Sequence, residues 1–467
     1  MGFFDTLNQA RTQVYVISFV CFLCPGMFNA LNSLPTSGPS AQNVKDKQNA
    51  ALYLCFAIMG LLAGGLNNIL GPRVLAAIGG TGYAIYAAAQ YNIFKQQGGN
   101  SNAEIPESAN TFSIFSGAYI GLCAGMLWAA QGQICLTYPT ESQKGTFFAT
   151  FWVIFNLGAV LGNTIGTILA WGAGPEGYAM NDAMYLVFII LMACGSIVAM
   201  LIQPPGTIIR EDQTQVETPP TNVLREFVEV LKLFANPAML TILIPCMSSN
   251  WFYTYQFGPF GDFFTGRTAG LKAIFYWLAQ AVGAWVLGNM FLDNTKYPRI
   301  TRAWTGCLIM VISTFAFFGG GAAFQYVASN DSEFTKIDAG ENFGRFFGPW
   351  ILYICYGLYD AFFQTYVNYL IGAISNDSET LSRYAGFYKG TQSAAGGISW
   401  ALNGFAFTKD KGNAMTSTTQ FWVMVTPCVI SLFFMALYTK LFVKDTTDED
   451  ISCKAELGAD SGFVQAK

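Results

Sequence analysis

Residues 346–375 read FFGPWILYICYGLYDAFFQTYVNYLIGAIS, long enough to cross a bilayer as one helix, and Asp360 near the middle is the single charge in that stretch. A carboxylate at bilayer depth costs about 2.5–3.5 kcal/mol on insertion scales, so it faces a cavity or a partner. Steps of four from it reach Tyr356, Gln364 and Asn368, and that spacing places the four on one helix face. Such a polar stripe either lines a wet path or glues packed helices together. A hydroxyl, two amides and an acid exceed what packing needs, which favours the path. In the following apolar segment Lys389 sits about two turns, roughly 9 Å, inside the nearer end. It either snorkels out to the interface or approaches Asp360. Their separation decides whether Asp360 is able to carry protons.

Other spans hold more polar chemistry. The first contains CPGMFNALNSL, where Pro25-Gly26 should kink or break the helix. Asn29 and Asn32 follow one turn apart, so the segment is either a packing kink or a broken, amide-bearing site wall. The seventh span contains CMSSNWFYTYQFGP, with Ser248, Ser249, Asn250, Tyr253 and Gln256. That density is difficult to explain as packing and predicts a cavity wall paired with the first span. In the fourth span Trp128 and Gln131 share a face, and an indole at mid-membrane wants a partner for its N–H. They serve a site or the core. Asn156 and Asn163 share a face of the fifth span, where Gly158 and Gly162 form a GxxxG pattern that points to close helix packing. Glu141 and Lys144 read as a surface pair.

These residues need membrane helices to hold them. The chain is 53% hydrophobic and only 11% charged over 467 residues, too little charge to cover a soluble protein of that size. The expected fold class is therefore all-α and polytopic. Crossing segments are predicted at 13–34, 49–70, 73–94, 110–135, 145–172 and 181–203, then at 237–257, 270–292, 301–324, 346–375, 383–407 and 418–443. This reads as twelve helices: a six-helix bundle over 1–203, a cytoplasmic linker over 204–236, a second six-helix bundle over 237–443 and a disordered tail over 444–467. LREFVEVLKLF in the linker predicts a short amphipathic helix on the membrane surface. With both termini on one side, roughly fifteen Lys/Arg lie there against about nine opposite, so that side is expected to be cytoplasmic. The membrane itself, plasma or vacuolar/endomembrane, is left open. Asn330-Asp331-Ser332 predicts an outer glycosylation site at Asn330, whereas Asn376-Asp377-Ser378 should face the cytoplasm and stay bare. There is no histidine, so neither the usual proton carrier nor the commonest metal ligand is available. All but one of the eleven Cys fall in predicted spans, and the Cys21/Cys24 pair reads as small buried hydrophobes. No metal and no cofactor are expected.

GLCAGMLWAAQGQ (121–133) and YICYGLYDAFFQT (353–365) overlay with Gly125 on Gly357 and Trp128 on Asp360, an internal repeat between the fourth helices of the two halves. GGLNNILGPRVL (64–75) resembles the loop signature of the major facilitators. Gly64, Leu66, Gly71 and Arg73 match, and Asn68 stands where that family has Asp. The resemblance implies a charge latch between the halves, weakened here because Asn hydrogen-bonds but does not pair ionically. The matching loop of the second half, LDNTKYPRITRAW (292–304), keeps Asp293 and carries Lys296, Arg299 and Arg302. Both loops also read as plain charged helix ends. FLCPGMFNALNSL (22–34) and MLWAAQGQICLTYPTESQKG (126–145), with Leu127, Trp128, Gln131 and Gly132, resemble the family named for the nematode protein uncoordinated-ninety-three. This is the ion channel regulatory protein branch of the major facilitator superfamily, and the likeness is to its fungal-type members. It implies a twelve-helix major facilitator fold, with members linked to channel regulation and receptor trafficking.

Two functions follow as expectations. The first is a transporter moving a small neutral or cationic solute by alternating access. Asp360 would be its coupling or binding carboxylate, carrying protons where uptake is uphill. The second is a non-transporting adaptor of a channel or receptor, which the altered latch at Asn68 favours. The absence of histidine, of paired carboxylates in a span and of a nucleophile–base arrangement speaks against an enzyme. The expected partners are the lipid bilayer, a small solute and, for the adaptor, a membrane protein. No basic run suggests nucleic acid.

Overall fold

The computed structural model describes residues 6–34, 36, 38–100, 103–138, 144–172, 181–210, 223–294, 296–331, 335–375, 378–407 and 414–445. The side chains of 68, 136, 144–146, 148, 149, 223, 224, 378, 379 and 382 lie outside that description. Among these residues the chain is helical, with two isolated bridges, Gln9 to Ile209 and Phe264 to Ile337. Backbone hydrogen bonding explains this, because a helix satisfies its own N–H and C=O groups in lipid.

Among the described residues eight helices are long and apolar enough to cross alone, and the bent pair Arg225–Ala235 with Pro237–Asp262 makes nine. The first six crossings are α1 (Ala10–Ser33), α2 (Pro39–Asn67), α3 (72–97), α4 (Glu107–Thr137), α5 (Lys144–Gly172) and α6 (Asp182–Leu201). After the amphipathic linker helix Val223–Lys232 come α7 (Pro237–Asp262), α8 (Gly266–Leu292) and α9 (Arg299–Asn330). The last are α10 (Phe343–Gly372), α11 (Ser378–Ala401, extended by a π turn over Leu402–Ala406) and α12 (Ser417–Phe442). Three of these twelve, α3, α10 and α11, fall short of the apolarity of the others. Two of the three, α10 and α11, carry Asp360 and Lys389.

The breaks fall at Gly and Pro. In α1 the residues Phe22–Gly26 form a π turn around Pro25, and Gly26 packs its α-carbon against Gly158 of α5. Helices α2 and α3 form one helical run turned at Gly71, whose φ of 78° and ψ of 158° are open to glycine alone. Helix α7 is interrupted after Ser248, resumes at Tyr253–Phe257 and turns again at Gly258 before Pro259–Asp262. The linker helix meets α7 at 90°.

Among the described residues two large hydrophobic cores result, with a small cluster of Ala41, Val44, Ile93 and Ala109 beside them. One draws on α1–α6 and the other on α7–α12, the latter reaching across to Ala50 and Ala159. The termini face, where α1 begins and α12 ends, and the far face opposite differ in what joins the halves. On the far side of mid-depth Trp277 Nε1 donates to Ser33 Oγ at 3.0 Å, and nearer the far face Asn43 Nδ2 donates to the Gly404 carbonyl at 3.2 Å. The Arg267 guanidinium lies 5.0 Å over the Trp171 ring. Helices α2 and α11 pack along each other, with Gly397 against Leu54 and Gly390 against Leu61. On the termini face the loop arginines bond within their own halves: Arg73 to Ile202 and Gln203, Arg299 to the Ala373 carbonyl.

Candidate functional site

Asp360 is 0% exposed and lies twelve residues before the end of α10, about 18 Å from the termini face at a rise of about 1.5 Å per residue. Its Oδ2 accepts from Tyr253 OH of α7 at 2.9 Å, from Tyr276 OH of α8 at 3.0 Å, and from Gln280 Nε2 of α8. Its Oδ1 accepts from Gln364 Nε2 at 2.6 Å. Every one of these neighbours brings a donor, the arrangement suited to an ionised carboxylate, which only accepts. The Tyr276 hydroxyl also lies 2.9 Å from Gln256 Oε1 and, having one proton, serves one acceptor at a time. Three helices thus converge on one acid.

The network continues into α11. Gln392 Nε2 reaches Gln364 Oε1 at 3.3 Å, Tyr388 OH at 2.9 Å and Ser249 Oγ at 2.8 Å. Gln392 Oε1 accepts from Lys389 Nζ at 3.0 Å. Lys389 lies eleven residues into α11, about 16 Å from the termini face, so it is deeper than its distance from the predicted span start suggested. It neither snorkels out nor pairs directly with Asp360. Gln364 and Gln392 stand between them, and its ammonium lies 5.5 Å from the Trp128 ring of α4 and 5.3 Å from the Tyr388 ring. That Trp128 contact joins the two halves at mid-depth. Exposure rises along α10 from buried Asp360 through half-buried Gln364 to exposed Asn368, toward the termini face.

The remaining expected site residues are dispersed. Tyr356 stands apart: its ring packs on Phe260 at 5.4 Å and Phe318 at 6.0 Å, and its hydroxyl has no hydrogen bond among the described residues. Helix geometry accounts for this, since each step of four at 3.6 residues per turn drifts about 40°, and Tyr356 and Asn368 end about 120° apart. Asn368 donates to the Gln364 carbonyl at 2.8 Å. Asn32 belongs to a second network within the first half, accepting from Tyr86 OH at 3.1 Å and Asn49 Nδ2 at 3.3 Å. Asn29 and Asn250 are half-buried. Gln131 is buried with Nε2 unbonded among the described residues. Asn156 Nδ2 donates to the Trp152 carbonyl at 2.9 Å while its Oδ1 is unbonded among those residues. Asp293 is exposed at the end of α8. Asn330 is exposed at the far end of α9. The Asn68 side chain, Glu141, Asn376 and the tail 446–467 lie outside the described residues.

Tyr276, Gln280 and Gln392 are absent from the sequence reading. Their signal was present: Tyr276 and Gln280 are four apart in an apolar span, as Asp360 and Gln364 are, and Gln392 is one turn from Lys389. Lys389 is not alone among interior cations. Lys45 (3% exposed) donates to the Asn32 and Leu34 carbonyls at 3.0 and 3.2 Å, capping the end of α1. Lys272 (1% exposed) lies 3.6 Å over the Tyr353 ring. Each sits six residues into its helix, α2 from Pro39 and α8 from Gly266.

The profile of the Major Facilitator Superfamily matches residues 14–400. The chain is 36% identical over 452 residues to UNC93-like protein 1 of Arabidopsis thaliana, covering 96% of this chain and 94% of that one. It is 38% identical over 412 residues to an UNC93-like protein of Schizosaccharomyces pombe, covering 86% and 79%. Among solved structures, the nucleoside transporter NupG superposes with a TM-score of 0.58 at 13% identity, over 92% of this chain and 99% of that one. The xylose transporter XylE of E. coli, in a partially occluded inward open conformation, gives 0.57 at 13% identity, over 93% and 97%. Those two likenesses speak for the fold alone. With twelve crossings, two cores and this sequence kinship, the chain is an integral multi-pass membrane protein that belongs to the UNC93-like branch of the Major Facilitator Superfamily.

Proposed function

We propose that this protein is a secondary transporter that moves a small polar solute by alternating access, with Asp360 as its coupling carboxylate. One observation carries the reading: a buried acid at mid-depth is held by donors from α7, α8 and α10 and joined through Gln364 and Gln392 to the seam between the halves. A purely structural acid at that depth costs stability that an apolar residue would not, so its cost points to use. Uphill transport follows if Asp360 takes a proton on one face and releases it on the other. Tyr253, Tyr276, Gln280 and Gln364 then re-form around whichever state is present. We place the N-terminal bundle, linker and C-terminal bundle at 1–203, 204–236 and 237–443, with both termini cytoplasmic.

The test is thermal stability of the purified protein against sugars, nucleosides, amino acids, organic acids and polyamines at pH 5.5 and 7.5, with Asp360→Asn alongside. A ligand that binds the folded state raises the melting temperature by mass action. The expected result is a solute-specific rise that depends on pH in wild type and loses that dependence in Asp360→Asn. In proteoliposomes the same variant should lose uphill uptake and keep exchange. The adaptor reading is favoured by Asn68 in the latch position. It predicts no rise with any solute, an Asp360→Asn variant at least as stable as wild type, and co-purification of a membrane protein.

A further inference from the structure

We propose that the solute carries an anionic carboxylate end and that Lys389 receives it; the proposal rests on the transporter reading and names the solute class. Lys389 has three protons to donate, and among the described residues one of them goes to Gln392 Oε1 at 3.0 Å. No carboxylate lies within 4.0 Å of its ammonium among the described residues, and its other neighbours are the neutral faces of Trp128 and Tyr388. Aromatic faces hold a cation only in part and do not neutralise it. A cation at this depth, with Asp360 held off behind Gln364 and Gln392, therefore lacks a directly paired counter-charge, which an incoming carboxylate supplies.

Asp360 is the poorer receptor. Its two oxygens are already met by Tyr253, Tyr276, Gln280 and Gln364, so a cationic solute would have to displace donors before reaching it. The unused capacity on α4 and α7, the helices that carry Trp128 and Tyr253, consists of donors as well. Gln131 Nε2, one turn from Trp128, and Gln256 Nε2, one turn from Tyr253, make no hydrogen bond among the described residues. Helix α5 leaves Asn156 Oδ1 unbonded, an acceptor for a hydroxyl or ammonium on the same solute. Hydroxy acids and amino acids fit that pattern. The site also ties binding to movement. Lys389 belongs to the second half and leans on Trp128 of the first, so a carboxylate that takes over the ammonium changes the contact between halves.

The experiment measures melting-temperature shifts of the full-length protein with malate, glutamate, glucose and putrescine, each titrated, for wild type, Lys389→Gln and Lys389→Arg. Malate or glutamate should stabilise wild type. The apparent affinity should fall at least tenfold in Lys389→Gln and stay within about threefold in Lys389→Arg, which keeps the charge. Stabilisation by glucose or putrescine but not by the acids would leave the transporter reading standing and overturn this one. So would an acid shift that Lys389→Gln leaves unchanged. No shift with any probe would remove the transporter reading, and the carboxylate with it. Should Lys389→Gln fail to fold, the wild-type preference and the Lys389→Arg titration still decide between the acids and the other probes.

Discussion

At the scale of single residues, the far-face loop shows how much one carboxylate organises. Asp338, between α9 and α10, takes Arg267 Nε at 2.9 Å and Nη2 at 2.5 Å, Thr265 Oγ1 at 2.5 Å, and the N–H groups of Gly340 and Glu341 at 2.8 and 3.0 Å. Burial by itself would push its carboxyl up; the bonds from Arg267, Thr265, Glu341 and Gly340 outweigh it and hold the group well below the ordinary carboxylate range. A depressed folded value means the stabilisation is present above the unfolded value of about 4 and is lost as pH falls toward the folded one. Asp338→Asn should therefore lower stability at pH 7 by about 1.5–3 kcal/mol, the scale of hydrogen bonds to a charged group. The gap from wild type should narrow on titrating below about pH 4. Melting curves at pH 7, 4 and 2.5 check this, and a gap that stays constant across that range would exclude the linkage. The backbone bond from Thr265 N to the Ile337 carbonyl at 3.0 Å holds the loop in place and keeps the comparison local.

At the scale of elements, the sequence was most legible where hydropathy and charge agree. The stretch 346–375 was expected to cross, and α10 runs Phe343–Gly372. It was least legible where polar residues are buried at helix ends. Helix α2 begins at Pro39 rather than near 49, because Lys45, Asp46, Gln48 and Asn49 are polar in type yet buried in place. The site was legible in its acid and in Tyr253 and Gln364. Its other donors were not, since no local pattern says that Tyr276 and Gln280 of α8 face α10. The overlay of Gly125 on Gly357 has a physical counterpart: Gly125 sits against Met59 and Gly60 of α2, and Gly357 against the Tyr276 backbone of α8, so each fourth helix meets the second helix of its half through glycine. Gly71 gives the sharpest test at this scale. Its conformation is closed to side-chain-bearing residues at a cost of about 1–3 kcal/mol, whereas Gly64 has free space around it and a negative φ. Gly71→Ala should lower the melting temperature and Gly64→Ala should leave it within error. Equal effects from the two would show that the α2–α3 turn is not set by Gly71.

At the scale of the whole molecule, the distribution of cross-half contacts decides which face is closed. Trp277 to Ser33, Asn43 to Gly404 and Arg267 over Trp171 all lie on the far side of mid-depth. On the termini face the linker helix packs on both the Pro39–Gln97 run and α11, and Glu226 pairs with Arg383 through two contacts of 3.0 Å. This helix can follow either half as a strut, while the loop arginines stay within their own bundles. These contacts predict a conformation sealed on the far side and open on the other, with a seal of a few bonds, each worth about 0.5–1.5 kcal/mol net. Such a seal is weak enough for a solute to reverse. Single cysteines placed at Asn368→Cys and Asn43→Cys, labelled with a membrane-impermeant maleimide admitted to both faces, report on it directly. Exposed Asn368→Cys should react at least tenfold faster than Asn43→Cys, whose parent side chain is 7% exposed. Adding Trp277→Phe removes one far-side bond and should raise the Asn43→Cys rate about two- to tenfold, with Asn368→Cys slowed as the population moves. If Trp277→Phe instead leaves both rates where they were, the indole–Ser33 bond does not hold the far side shut. The seal must then reside in the α2–α11 glycine packing, where Gly397 lets Leu54 approach and a larger residue would force the halves apart.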